Sequence, residues 1–152
     1  MRGVEVYREI YNTKGKFVNT AYDGVEELLA KIKADGKKIA VCSSKYEQFA
    51  KEIIDILGLS RYFDAVCGSN LEGDRKDKKD LIPYALKALG TTIEKDRENA
   101  VIIGDTFFDT KGAVQTGIDF VGANYGYGDI DKMIEAGGKV FADTPLEIYD
   151  LI

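Results

Sequence analysis

Histidine is absent from the 152 residues of this chain, and its absence removes several classes of active site. Neither Ser-His-Asp nor Cys-His catalysis is available, and a histidine-ligated zinc site cannot form. Any metal ion must be held by oxygen ligands, which favours hard cations such as magnesium.

Cysteine is scarce as well, with only Cys42 and Cys67 in the chain. The two residues do not form a CxxC pair, and each follows a short apolar run. This setting is typical of a reduced, buried thiol rather than of a catalytic one.

Long hydrophobic runs are missing, so we expect neither a signal peptide nor a membrane-spanning segment in this sequence. The net charge of −5 argues mildly against nucleic acid and anionic membrane as partners. We therefore expect a cytoplasmic protein that binds neither. Its length and its 45% of hydrophobic residues suit one globular domain with a real core.

Two hydrophobic patterns alternate from Gly24 onward. Apolar residues with helical spacing follow short apolar runs that lack two-residue alternation, and this indicates a parallel sheet covered on both faces. The predicted fold is α/β, a three-layer doubly wound parallel sheet, in which ligands bind beyond the carboxyl ends of the strands. The predicted helices are Val25 to about Gly36, Phe49 to Leu57, Leu81 to Leu89, Phe108 to Thr116, Ile130 to Ala136 and Pro145 to Leu151. The predicted strands are Lys38 to Val41, Phe63 to Val66, Ala100 to Ile103, Ile118 to Gly122 and Lys139 to Phe141.

The first 23 residues do not fit this alternation. Val4 to Val6 could begin a strand, whereas Tyr7, Ile10 and Tyr11 suit one face of a helix, and the pattern does not decide between them. A turn is expected at Asn12 to Lys16.

Two carboxylates follow the most apolar predicted strand, in the stretch VIIGDTFFDTKGA. Asp105 comes directly after the strand and Asp109 one helical turn later, so both side chains can point into one crevice. Two carboxylates held together repel each other unless a cation lies beside them, and magnesium suits such a site. Alternatively, Asp105 caps the following helix and Asp109 is solvated.

A second strand ends in AVCSSK, which places Ser43 and Ser44 at the junction with the next helix. A hydroxyl and the backbone N–H groups at a helix N-terminus can bind an anion, although a serine before a helix is often only a cap. The stretch DRKDKKD precedes a further helix that contains Pro83. Because proline is tolerated best near the start of a helix, this helix should begin close to Asp80, which places Lys78 and Lys79 at its N-terminus. One of these lysines could balance the aspartates and hold a phosphate.

These three features fall at the carboxyl edge of the predicted sheet or in the loops above it. Together they predict a site for a phosphate and a divalent cation.

In this arrangement the sequence resembles the haloacid dehalogenase superfamily, in particular its phosphoglycolate phosphatase-like hydrolases. The resemblance covers nearly the whole chain, and the turn into the helix of NYGYGDIDKMIEAGG contributes to it. It is carried by YDGVEELLAKIKADGKKIAVCSSK, FDAVCGSNLEGDRKDKKDLIPYALKALG, VIIGDTFFDTKGA and GIDFVGANYGYG. Ser43 matches the family's serine or threonine motif. Lys78 is the best match to its lysine motif, and Lys79 is the alternative one residue away. Asp105 and Asp109 match its GDxxxD motif.

The family's DxDGT motif, which supplies the aspartate nucleophile on the first and central strand, has no counterpart here. The resemblance instead assigns residues 1–23 to the end of the inserted cap domain and its exit linker, with VYREIYNTKGKF as its last helix, and 24–152 to the core domain. With the first strand missing, the N-terminal segment could enter the gap, a second copy of the chain could supply an edge through self-association, or the remaining elements could fold without it.

The resemblance implies magnesium-dependent hydrolysis of a phosphate monoester on a small phosphorylated metabolite. Asp105 would bind Mg²⁺, Asp109 would bind it through water or orient Asp105, and Ser43, Ser44 and Lys78 would hold the phosphate. Without the nucleophile, the isolated chain is expected to show little or no turnover. The alternative is a non-catalytic module that binds phosphate, a nucleotide or a protein partner.

Overall fold

The computed structural model describes residues 4–7, 11–12, 20–21, 24–73, 75, 77–124 and 129–152. In this part of the chain a parallel sheet is covered by helices on both faces, as predicted. No helix in these ranges has the length and apolar character needed to cross a bilayer.

The main sheet of the described residues has six strands in the order β5-β4-β1-β6-β7-β8, all parallel. Its strands are β1 (Val4–Tyr7), β4 (Lys38–Tyr46), β5 (Ala65–Ser69), β6 (Ala100–Gly104), β7 (Asp119–Ala123) and β8 (Val140–Ala142). The two-residue strands β2 (Tyr11–Asn12) and β3 (Thr20–Ala21) pair with each other in antiparallel orientation. The α-helices are α1 (Val25–Ala34), α2 (Glu47–Ile56), α3 (Lys78–Ala88), α4 (Ile93–Asp96), α5 (Phe107–Thr116), α6 (Ile130–Glu135) and α7 (Pro145–Leu151).

The centre of the sheet is occupied by β1. Val4 pairs with Lys38 of β4 on one side and with Ala100 of β6 on the other. Of the three outcomes for the missing first strand, the structure therefore shows the N-terminal segment in the gap. This four-residue strand pairs with Lys38 to Val41 of β4 and with Ala100 to Ile103 of β6, so the backbone groups of these segments are not left as a buried open edge.

The N-terminal segment differs from the expected cap helix in its described parts. Val6 and Tyr7 lie in β1, and Tyr11 and Asn12 lie in β2, so the open choice at Val4 to Val6 is resolved as strand. The rest of VYREIYNTKGKF and most of the turn predicted at Asn12 to Lys16 fall outside the described residues. The division of the chain at residue 23 stays a prediction, although β1 belongs to the same sheet as the strands of 24–152.

Two hydrophobic layers fix the helices against the sheet. One packs α1 and α7 against the faces of β4 and β6 that carry Val41 and Ile103. The other packs α3 and α5 against the opposite faces, which carry Cys42 and Ile102. The alternation of residues in successive strand positions between the two layers explains why these strands are apolar on both sides.

Some element boundaries differ from those predicted, and one difference affects the site. We predicted that β4 would end at Val41, but it continues to Tyr46, because Cys42 and Tyr46 still pair with β5 across an irregularity in register. The polar residues at the end of β4 concealed this extension from the hydrophobic pattern.

Candidate functional site

The hydroxyl of Ser43 lies inside β4 rather than at a helix N-terminus. Ser43 is fully buried, and its Oγ accepts a hydrogen bond of 3.1 Å from the backbone N–H of Lys45. Helix α2 begins four residues later, after Tyr46 as the N-cap residue, and Tyr46 gives no side-chain cap. Both sequence-based expectations for the junction are therefore corrected: neither Ser43 nor Ser44 caps α2, and Ser43 does not share an anion site with the N–H groups of that helix.

The two predicted aspartates lie at the junction of β6 and α5, and both are buried, with Asp105 6% exposed and Asp109 fully buried. Thr106 between them is the N-cap residue of α5. Its side chain accepts from the backbone N–H of Asp109, whose Oδ2 accepts from the N–H of Thr106 at 3.2 Å and from its hydroxyl at 2.9 Å. This reciprocal capping box excludes the alternative in which Asp105 caps the helix and Asp109 is solvated.

Lys78 is the first residue of α3, and its side chain is buried between β4 and α5. Its Nζ donates a hydrogen bond of 2.8 Å to the carbonyl oxygen of Cys42 and lies 3.6 Å from Oδ1 of Asp109. Lys79, the next residue, is exposed. Of the two lysines that the sequence left open, Lys78 is therefore the one that joins the end of β4 to the aspartate pair.

Two glycines permit this close arrangement. A Cβ atom on Gly104 would lie 2.4 Å from Cβ of Asp109, and one on Gly112 would lie 2.4 Å from Cβ of Lys78. Gly104 therefore lets the Asp109 carboxylate fold back over the end of β6, and Gly112 lets α3 bring Lys78 against α5.

The register of the sheet places the site over β1. Tyr7, the last residue of β1, pairs with Val41 of β4 and with Ile103 of β6. Ser43 and Asp105 each follow two residues later, so they flank the carboxyl end of β1 at the same height, with backbones about 10 Å apart across the two strand spacings. Lys78 reaches this region from α3, where its Nζ contacts the carbonyl oxygen of Cys42 in β4 and the carboxylate of Asp109 in α5.

The buried charges of the site are two carboxylates and one ammonium group. Carboxylate oxygens are the ligands that hard divalent cations such as magnesium prefer. Ser44, in contrast, is exposed, although it lies next to Ser43.

The two cysteines are buried and form no disulfide. They are neighbours across β4 and β5, where Cys42 pairs with Cys67. Burial, with smaller contributions from the nearby Cys42 and Glu47, raises the pKa of Cys67 to about 12. A thiol with such a pKa stays protonated near neutral pH, which excludes Cys67 as a nucleophile there.

Sequence reasoning missed Thr106, Gly104 and Gly112. The pattern of Thr106 followed three residues later by an acidic side chain is that of a capping box, so this signal was available. No sequence pattern reveals the tight contacts at the two glycines, because the atoms that approach Gly112 belong to a helix far away in the chain.

A parallel α/β sheet with a hydroxyl, a lysine and a GDxxxD pair near its carboxyl edge defines the class of α/β folds in which ligands bind beyond the carboxyl ends of the strands. The family model for haloacid dehalogenase-like hydrolases matches residues 2–123. The chain belongs to this family.

Curated relatives cover most of this chain. A 5'-nucleotidase of Pseudomonas aeruginosa is 35% identical over 130 residues, which are 86% of this chain and 57% of that protein. The tyrosine-protein kinase PtkA of Mycobacterium tuberculosis is 34% identical over 84% of this chain and 43% of its own length. A phosphoglycolate phosphatase of Aquifex aeolicus is 33% identical over 86% of this chain and 60% of its own length. The chain thus spans between 43% and 60% of the length of these relatives.

A solved structure supports the fold assignment. The crystal structure of a predicted phosphatase from Clostridium acetobutylicum superposes with a TM-score of 0.82 at 34% sequence identity. The match covers 91% of this chain and 62% of that one.

Proposed function

We propose that this chain carries the phosphate- and magnesium-binding part of a phosphate monoester hydrolase similar to the phosphoglycolate phosphatases. The observation that carries the proposal is the position of Lys78, which is buried between the end of β4 and the carboxylate of Asp109. A buried ammonium group between a hydroxyl-bearing strand and two carboxylates suits the oxygens of a phosphoryl group and its cation.

The residues of the site fit a magnesium ion. Asp105 and Asp109 supply two buried carboxylates at the junction of β6 and α5, and within the described ranges they belong to no group of three or more His, Cys, Asp or Glu side chains that could hold a metal. Magnesium in phosphate-handling sites is commonly held by one or two carboxylates, with water and substrate phosphate completing its coordination. A bound Mg²⁺ would neutralise charge on the phosphoryl oxygens.

Each residue of the site has a separate proposed role. Asp105 is assigned as the metal ligand. Asp109 is assigned to orientation, because its Oδ2 already accepts two hydrogen bonds from Thr106. Ser43 and Lys78 are assigned to the phosphate, which Lys78 holds by charge and Ser43 through its hydroxyl group.

The nucleophile that the family resemblance implies is not assigned to any residue, because the sequence has no DxDGT. We therefore expect the chain by itself to bind phosphate and Mg²⁺ but to show little or no turnover. The expected ligand is a small phosphorylated metabolite. Self-association through the sheet or through exposed aromatic residues stays a prediction, although β1 already fills the centre of the sheet.

The first test is calorimetric titration of the chain with MgCl₂ in the presence of inorganic phosphate. The Asp105→Asn variant should lose about tenfold or more in Mg²⁺ affinity, because it removes the charge of the assigned ligand. Glu94→Gln is the matched control, since Glu94 is exposed on α4, before the amino end of β6. Equal Mg²⁺ binding by Asp105→Asn and by the parent chain would refute the proposed magnesium site. Magnesium-dependent hydrolysis of p-nitrophenyl phosphate by the parent chain would refute the expected lack of turnover.

The alternative is a non-catalytic module that binds a protein partner at the same edge of the molecule. It is favoured by two exposed aromatic rings, Phe49 on α2 at 59% and Phe108 on α5 at 58%. Such a module would not need the metal, so its binding would be indifferent to both Mg²⁺ and Asp105→Asn.

A further inference from the structure

Two thiols lie side by side in one of the hydrophobic layers. Cys42 of β4 pairs in register with Cys67 of β5, and both side chains belong to the layer that packs against α3. Their exposed fractions are 1% and 2%, so both are held inside the protein. The proposed hydrolysis uses neither thiol. The pair is therefore a cluster of metal-ligating side chains without an assigned role.

The spacing of the two strands suits a single ion between the sulfur atoms. Neighbouring strands lie about 4.8 Å apart, and in-register side chains on one face keep roughly this separation. A disulfide needs its Cβ atoms about 3.8 Å apart, so β4 and β5 would have to approach each other to form one. With a metal–sulfur distance of about 2.3 Å, an ion in line between two sulfur atoms holds them about 4.6 Å apart. A bridging ion therefore requires less movement of the sheet than a disulfide.

The number and type of ligands decide which metal ion fits. Thiolate sulfur is a soft ligand that selects Cu(I), zinc and iron–sulfur clusters over magnesium or calcium. Structural zinc sites and iron–sulfur clusters take four protein ligands. In the part of the chain that the structure describes, no group of three or more His, Cys, Asp or Glu side chains could hold a metal. Cu(I) is stable with two ligands in a line, so a pair of thiols suits this ion best.

The surroundings of the pair favour a metal site without net charge. The other buried members of the layer, among the described residues, are alanine, leucine and isoleucine side chains. Cys67 is protonated near neutral pH, because burial raises its pKa to about 12. Binding of Cu⁺ breaks one S–H bond, forms two Cu–S bonds and releases one proton to water, with no change in oxidation state. The neutral thiolate–Cu(I)–thiol unit that results costs less to bury than a charged one.

A cavity gives access to the pair from the outer edge of β5. Its volume is about 440 Å³, and Cys67 is one of its lining residues. The other walls come from α2, which contributes Lys51, and from α3, which contributes Tyr84. On the other side of the pair, the carbonyl oxygen of Cys42 accepts the hydrogen bond of 2.8 Å from Lys78. The thiol pair thus lies between an open cavity and the candidate functional site.

We propose that Cys42 and Cys67 form a two-coordinate site for Cu(I), which enters through this cavity. The site differs from the proposed magnesium site in its ligands, since soft sulfur and hard oxygen ligands select different ions. The inference therefore does not depend on the proposed function, and a chain that binds neither phosphate nor Mg²⁺ would still bind Cu(I) here.

The test is an anaerobic titration in which the reduced parent chain competes for Cu(I) with the chromophoric chelator bicinchoninate. We expect the chain to withdraw one equivalent of Cu(I). Cys42→Ser and Cys67→Ser should each weaken Cu(I) binding by more than about tenfold, because losing a ligand costs at least as much as losing a group that supports one. Ala85→Ser is the matched control, since it adds a hydroxyl group to the same layer and retains both thiols.

X-ray absorption at the copper edge provides a second readout that needs no variant. Two sulfur ligands and no oxygen ligand are expected for the parent chain. Failure to withdraw Cu(I), binding that survives both cysteine changes, or oxygen ligands on the copper would overturn the inference. A protein mass lower by two hydrogen atoms after the titration would show that a disulfide forms instead, and it would overturn the inference as well.

Discussion

The two strand-to-helix junctions that flank the central strand are built in different ways. At the β6–α5 junction side chains set the geometry, because Thr106 and Asp109 bond to each other in both directions. At the β4–α2 junction Tyr46 gives no side-chain cap, and backbone contacts set the geometry instead. The comparison shows that the Asp109 carboxylate is held by a local sequence motif, whereas the connection from β4 to α2 is held by its close packing against β5.

The backbone contact at the β4–α2 junction is made by Gly68 of β5. A Cβ atom there would lie 2.5 Å from the carbonyl oxygen of Lys45 and 2.6 Å from Cα of Glu47. The N–H of Gly68 also donates to Oε1 of Glu47 at 3.3 Å, which ties β5 to the start of α2.

The largest effect is expected from Gly68→Ala. Because the clashing atoms belong to the backbone, β5 or the β4–α2 connection must move, and the free energy of unfolding should fall by about 3 kcal/mol. Urea denaturation measures the change. A loss below about 0.5 kcal/mol would show that this junction can shift freely and would remove the contrast with the β6–α5 junction.

Gly104→Ala should have the next largest effect. The added methyl group meets the Asp109 carboxylate, which its bonds to Thr106 hold in place, so the unfolding free energy should fall by about 2 kcal/mol. Mg²⁺ binding should weaken as well, since Asp109 has to leave its position. Calorimetric Mg²⁺ titration and denaturation are measured together, and unchanged Mg²⁺ affinity would contradict the assigned role of Asp109.

Thr106→Ala tests the capping box directly. The change removes the hydroxyl that both accepts from and donates to Asp109, and we expect a loss of about 1–2 kcal/mol in stability. Thr106→Ser retains the hydroxyl and is the control. Thr144→Ala, which removes a single cap bond from the N–H of Glu147, should cost less, and an equal cost would contradict the reciprocal box at Thr106.

Tyr46→Ser should have the smallest effect. The serine would add the cap that α2 lacks, but the change would remove the edge-to-face contact with Phe49 at 5.4 Å between ring centroids. The two effects should offset each other to within about 1 kcal/mol. In a Phe49→Ala background the aromatic contact is already gone, so Tyr46→Ser should stabilise the protein in thermal denaturation. Destabilisation there would show that an added cap cannot form at this junction.

Much of the fold was predictable because its signals are local. The alternation of helical and strand patterns predicted the parallel α/β sheet, and the superposition with a solved phosphatase structure supports that assignment.

The site was predictable only in part. Asp105 and Asp109 could be placed at a strand end because they directly follow an apolar run. The choice between Lys78 and Lys79 could not be made, since burial of Lys78 depends on the close approach of α3 to α5 at Gly112. The extension of β4 past Ser43 was also hidden, because it depends on pairing with β5.

The sequence by itself determined the order of helices and strands, the acidic motif after β6 and the absence of any imidazole. These properties depend on residue type and on spacing along the chain. Only the tertiary structure decided that Val4–Tyr7 forms the centre of the sheet and that Lys78 rather than Lys79 reaches the aspartates. Both outcomes arise from contacts between segments far apart in sequence, where sheet pairing and helix packing select one arrangement among several that local patterns allow equally.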